Sequence, residues 1–237
     1  MSEDLRVALI TGATGGIGKG VSIGLACDGY MLSLTARSKS RLEALADEIK
    51  TVRDKGNPLV SIGDITVPEY AEQIVEQTIK RFGRIDLLFN AIGIHKMGNW
   101  KITPTVFEEQ MSTNVSGVFN MVRAAVPHMI KQGSGHIITV ASRRGKIASA
   151  EEGAYSASKY AVVGMNEALY KELAPMGIKT TVICPGWVDT PMVKGVAFPK
   201  HEMISAFDIL ETVRFLTKLS PAACIKEVLI EPRSDLS

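Results

Sequence analysis

Seven short runs of apolar and β-branched residues recur along the chain, at Val7 to Thr11, Met31 to Thr35, Leu59 to Ile62, Ile85 to Asn90, His136 to Ala141, Lys179 to Cys184 and Val228 to Ile230. Runs that stay apolar without alternating suit strands buried on both faces, so they predict a parallel sheet covered by helices above and below. The intervening stretches are amphipathic, and helices are expected near Gly16 to Asp28, Ser40 to Val52, Pro68 to Arg81, Pro104 to Lys131, Tyr155 to Ala174 and Ser205 to Leu219. The fold class that follows is α/β: a three-layer, doubly wound Rossmann fold around a seven-stranded parallel sheet. The chain has 237 residues and no Pro/Gly/Ser-rich linker, so one domain is expected over 1–237, with a small substrate loop at about 191–204. Pro127 falls inside the fourth helix and predicts either a kink there or an end near Val126.

Charge narrows the range of partners. The 27 basic side chains stand against 25 acidic ones, a formal net of +2, too even a balance for a surface that tracks nucleic-acid phosphates. No apolar run approaches the roughly 18 residues of a membrane span. Met1 to Arg6 lacks the basic and apolar regions of a secretory leader. Cys27, Cys184 and Cys224 are scattered, with neither metal-binding nor disulfide spacing. A soluble cytoplasmic protein is expected, with no metal and with neither nucleic acid nor membrane as a partner.

The first strand runs straight into Thr11-Gly12-Ala13-Thr14-Gly15-Gly16-Ile17-Gly18, and a helix begins at once. Glycines let the backbone turn sharply and bring amide hydrogens against a diphosphate, whose charge the helix N-terminus favours. A P-loop would require Gly at 13 and Ser or Thr at 20, where the chain has Ala13 and Gly20. A dinucleotide is the remaining reading. About 20 residues further on, such proteins place an acid for the NAD ribose or an Arg for the NADP phosphate. The second strand leads into Arg37-Ser38 with no carboxylate nearby, which favours NADP(H) through a charge-assisted pair with Arg37.

Tyr155 and Lys159 are four residues apart at the start of a helical stretch, hence on one face and about 6 Å apart along the axis. A neighbouring ammonium favours the phenolate, and lowering the phenol pKa by about 3 units corresponds to roughly 4 kcal/mol. On this reading the phenol is expected to be unusually acidic.

With the glycine loop and the Y-x-x-x-K pair in this order, the chain resembles the short-chain dehydrogenase/reductase family, of the single-domain type with a T-G-x-x-x-G-x-G loop. The resemblance covers nearly the whole chain and implies the following. The loop residues Gly12, Thr14, Gly15, Gly16, Ile17 and Gly18 hold the dinucleotide, with Arg37 and Ser38 at its adenosine end. Asp64 contacts the adenine amino group beside Ile65. Asn90-Ala91-Ile92-Gly93 stands where the family has N-N-A-G, and Pro185, Gly186, Val188 and Thr190 belong to the loop around the nicotinamide carboxamide. Ser142 polarises the carbonyl and Tyr155 exchanges its proton. Lys159 depresses the Tyr155 pKa and holds the nicotinamide ribose, and Asn114 positions a relay water. The family's fourth-helix pairing implies a homodimer or homotetramer.

Two departures bear on the substrate. Ala91 replaces an asparagine, and Ile225 to Pro232 lacks the D-G-G ending of many 3-oxoacyl carrier-protein reductases, which resembles instead members acting on free hydroxy acids or assorted carbonyl compounds. His95, Lys96, Arg143 and Arg144 read either as solvated loop charges or as groups steering an anionic substrate. Met97 and Trp100 either wall the pocket or pack their loop. The leading expectation is an NADPH-dependent reductase of a small carbonyl or acyl substrate, 3-oxoacyl-reductase-like. The alternatives are an NADP-dependent 3-hydroxy acid dehydrogenase and a non-catalytic dinucleotide sensor.

Overall fold

Leu9 and Ile10 are neighbours in β1 (Val7–Thr11), a strand buried along its whole length, yet they pack into cores on opposite faces of the sheet. That follows from the two-residue period of a strand, and it is why the run needs no polar face. The structure, a computed structural model, describes residues 5–52, 57–193 and 195–235. The other strands are β2 (Met31–Ala36), β3 (Leu59–Ile62), β4 (Leu87–Asn90), β5 (Gly135–Val140), β6 (Ile178–Pro185) and β7 (Glu227–Ile230). They form a seven-stranded sheet in the order β3-β2-β1-β4-β5-β6-β7, parallel throughout.

On the Ile10 face, Leu25 of α1 (Gly16–Cys27), Leu42 of α2 (Lys39–Val52) and Ile209 of α7 (Ala206–Lys218) close over the sheet. On the Leu9 face, Ile74 of α3 (Pro68–Phe82), Met121 of α5 (Gly117–Gln132) and Leu173 of α6 (Gly153–Leu173) do the same. Each large aliphatic side chain so buried contributes about 1.5–3 kcal/mol relative to exposure. Order reverses between β1 and β4, and in a sheet of this kind the crevice outside that switch point is where ligands bind.

The stretch expected as one helix from Pro104 to Lys131 is divided. α4 (Pro104–Met111) starts from Thr103, whose hydroxyl accepts the Val106 N–H at 3.3 Å, and a π-helical turn (Ser112–Ser116) separates it from α5. The extra residue of the π turn is offset by Asn114, fully buried there and hydrogen-bonded to the Ile94 peptide. Pro127 does not end the helix: Val122 and Ala125 before it and Met129 after it are buried on one face, and α5 continues to Gly133, whose φ of 72° closes it. Phe107 and Phe119, in the apolar stripe that prompts the expectation of self-association, remain 43% and 50% exposed. No helix among the described residues is long and apolar enough to cross a membrane. Lys194 of the expected substrate loop lies outside the described residues, as do Met1 to Asp4.

Candidate active site

The glycine loop leaves β1 with Gly12 in the left-handed region, at φ +63°. A Cβ there would stand 2.6 Å from the Ala91 carbonyl oxygen, and one on Gly18 would stand 2.2 Å from the Gly12 oxygen. Both neighbours are backbone, so neither can give way. The consequence is a strip of bare peptide, and Gly12, Thr14 and Gly15 line a cavity of about 720 Å³ together with Arg37, Arg41, Asp64, Ile65 and Thr113. A trough of peptide groups at a helix N-terminus, with two guanidiniums at its far end, fits a diphosphate joined to a phosphorylated ribose.

Not every expected nucleotide residue opens on this cavity. Gly16 and Gly18 are not part of its lining: Gly16 packs against Thr190 and Gly18 is buried against Gly12. Ser38 starts α2, its carbonyl accepting the Leu42 N–H at 3.1 Å. Asn90 is 1% exposed; its side chain accepts from Thr11 and donates to Thr139, bracing β1, β4 and β5 from within. Both residues are expected at the cofactor; Asn90 has its side-chain amide engaged inside the sheet, while Ser38, half-exposed, is not part of this cavity's lining.

Through Ala91, Ile92 and Gly93 this cavity is continuous with a second, of about 740 Å³. Ser142, Tyr155 and Lys159 line it, as do Ile17 and the β6 loop residues Pro185, Gly186, Val188 and Thr190. Ser142, just past β5, accepts the Arg144 N–H at 3.1 Å and hydrogen-bonds the Tyr155 phenol. Lys159 is buried; its Nζ donates to the Val140 carbonyl at 3.3 Å and stands 5.6 Å from the Tyr155 ring centroid. A Cβ on Gly93 would come within 3.2 Å of that Nζ, so a larger residue there would press on the ammonium. Asn114 lies one layer deeper, donating to Ile94 O at 3.0 Å and Ser158 Oγ at 2.9 Å.

The electrostatics reverse the expectation of an acidic phenol. Burial is the largest influence on Tyr155 and pushes its pKa up to about 12; the Ser142 hydrogen bond and Arg144 pull it down, and Glu152 pushes it up. Lys159 is driven down to about 8, again chiefly by burial. The ammonium rests over the ring and on a carbonyl, and burial shifts each group toward its neutral form without discharging the lysine at neutral pH. A neutral phenol is a proton donor.

The basic loop residues also differ from either reading of the sequence. Arg143 is paired with Glu231 and with Asp235, and Arg144 with Glu152, each side chain mostly buried. They are neither solvated nor free to steer. Lys96, Met97 and Trp100 are exposed, the last at 84%, and do not line the cleft. Trp187, Met192 and Val193 form its apolar wall instead. The side chain missed in the sequence is Glu152, buried at the N-terminal boundary of α6 three residues before Tyr155, a nearness in sequence that could have marked it.

A sequence model described as short chain dehydrogenase matches residues 6–199. An uncharacterized oxidoreductase of Staphylococcus saprophyticus is 35% identical over 232 residues, 96% of this chain and 97% of the relative. Among solved structures, a betaketoacyl-[ACP] reductase from Bacteroides thetaiotaomicron is 36% identical with a TM-score of 0.87, covering 99% of each chain. An actinorhodin polyketide ketoreductase variant crystallised with NADPH is 26% identical with a TM-score of 0.88, covering 98% of this chain and 97% of its own.

Proposed function

The chain belongs to the short-chain dehydrogenase/reductase family, and on that premise we propose that it reduces a carbonyl to an alcohol with NADPH, Tyr155 serving as the proton donor. The observation that carries this reading is the convergence of Ser142, Tyr155 and Lys159 on one cleft that runs on into the glycine trough.

The loop from Gly12 to Gly18 would hold the diphosphate on its peptide N–H groups. Arg37, with Arg41 beside it on the cavity wall, would take the phosphate on the adenosine ribose. NADPH, when bound, supplies the hydride that adds to the carbonyl carbon. Everything else is work for the protein. The Ser142 hydroxyl donates to the carbonyl oxygen as charge collects there. The Tyr155 phenol, neutral at any ordinary pH because its pKa lies at about 12, then passes its proton to that oxygen; an alkoxide is the stronger base, so the transfer runs downhill. Lys159 would hold the nicotinamide ribose, and Asn114, through a water, would return a proton to the phenol. A phenol that keeps its proton supports reduction over the oxidative 3-hydroxy acid reading, which needs a phenolate base. NADPH crystallised with the related ketoreductase supports the cofactor choice.

The test is turnover of a panel of ketones, diketones, 3-oxoacyl thioesters and hydroxy acids, followed by consumption or formation of NADPH and NADH. Ketones and NADPH are expected to react fastest. Tyr155→Phe is expected to lower kcat/KM by about a thousand-fold while NADPH still binds. Binding without turnover of any compound in the unaltered chain would return the protein to the role of a dinucleotide sensor.

A further inference from the structure

Beyond Tyr155 the cleft is walled by three side chains from separate segments: His95 after β4, Arg144 after β5, and Glu152 at the mouth of α6. Glu152 is 5% exposed and its carboxylate accepts from His95 Nε2 at 2.9 Å while pairing with the Arg144 guanidinium. The imidazole stands edge-on to the Tyr155 ring, centroids 4.6 Å apart at 70°. Its own backbone is clamped on both sides: Asn114 holds the N–H and C=O of Ile94 at 2.8 and 3.0 Å, and Gln110 accepts the Lys96 N–H at 2.9 Å. A side chain fixed from two flanks and from its tip has the rigidity of a recognition group.

The chemistry of that group follows from its partner. With Nε2–H given to the Glu152 carboxylate, the neutral imidazole presents Nδ1 as an acceptor, with no hydrogen-bond partner among the described residues. The charge on the wall matters equally. Arg143 is engaged by Glu231 and Asp235, and Arg144 by Glu152, so neither guanidinium on the wall is free. A substrate carboxylate placed here would have to draw Arg144 away and strand a buried Glu152.

Resting on the reductase reading above, we propose that His95 is a specificity-determining residue, accepting through Nδ1 a hydrogen bond from a hydroxyl or amide N–H next to the substrate carbonyl. The site thereby selects an uncharged, donor-bearing ketone over a keto acid, with Glu152 and Arg144 as positioning residues.

Three aryl ketones that differ in one group test this: α-hydroxyacetophenone, propiophenone and phenylglyoxylate, each assayed for kcat/KM with NADPH. In the unaltered chain the hydroxyketone is expected to exceed both others by about ten-fold, the scale of one buried hydrogen bond. His95→Leu is expected to erase most of the hydroxyketone-to-propiophenone ratio, and His95→Gln, which restores an acceptor, to recover part of it. Glu152→Gln releases Arg144 and is expected to raise phenylglyoxylate relative to propiophenone by about ten-fold. Because each readout is a ratio within one preparation, loss of folded protein does not mimic it. Equal rates for the three ketones in the unaltered chain, or a ratio untouched by His95→Leu, would overturn the inference and leave the reductase reading standing. No turnover of any ketone would overturn both.

Discussion

One end of the cleft is made of backbone and the other of paired side chains. At the nucleotide end the limiting contacts are peptide against peptide, Gly18 on Gly12 and Gly12 on Ala91. At the substrate end they are ion pairs and hydrogen bonds between residues far apart in the chain: His95 reaches Glu152 across 57 positions, and Arg143 reaches Glu231 across 88. On the reductase reading, rigid backbone would grip the part common to every turnover, while exchangeable side chains would meet the part that varies. The difference also sets how each end responds to change, since a backbone clash has no cheap relief whereas a side chain can be replaced in kind.

The largest effect should come from Gly18→Ala. Its added methyl meets the Gly12 oxygen at 2.2 Å, and the loop must open. We expect a loss of about 3–5 kcal/mol in stability and a collapse of NADPH affinity, read by denaturant unfolding and by nucleotide fluorescence titration. A stable variant that still binds tightly would show that the backbone end yields after all.

Lys159→Met is expected to act with opposite signs on the two properties. Burial holds the ammonium at about 8, against an ordinary value of 10.5. Below about 8 the lysine is protonated in both the folded and unfolded chain and the full desolvation penalty opposes folding; between 8 and 10.5 the unfolded chain binds the extra proton, so stability rises with pH across that window. Replacing Lys159 should therefore stabilise the fold by roughly 3 kcal/mol at neutral pH, with the gain shrinking toward 10.5, while turnover is lost. Unfolding curves at two pH values check this, and no gain at neutral pH would mean that the cleft solvates the lysine.

The smallest of the three is Arg37→Asp, at the exposed rim of the trough. Losing a charge-assisted contact and gaining a carboxylate for a ribose hydroxyl should move the NADPH-to-NADH ratio of kcat/KM toward NADH by about 30-fold. An unchanged ratio would hand the discrimination to Arg41.

The same contrast explains what the sequence made legible. Apolar runs announce buried strands, and every strand expected appears within two residues of its place, because burial on both faces leaves a signature that needs no partner to be read. The glycine loop and the Tyr155–Lys159 spacing are local as well. The π turn at Ser112–Ser116 was not visible, since it depends on Asn114 finding the Ile94 peptide 20 positions away. Nor was the neutrality of Tyr155, which comes from how deeply α6 is seated, a property of the whole packing rather than of the Y-x-x-x-K motif. The pairing of Arg143 stayed hidden for the same reason: nothing near it in sequence reveals the carboxylates waiting in the segment after β7.

The reversal of strand order between β1 and β4 has a further meaning for how this chain can change. Loops that follow β1, β2 and β3 gather on one side of the seam, and those that follow β4, β5 and β6 on the other. On the reductase reading, alterations in the second set at positions that do not border the trough, such as His95 and Trp187, would redirect substrate choice while the loops after β1, β2 and β3 keep their hold on the nucleotide, so a new taste in substrates does not require a new fold.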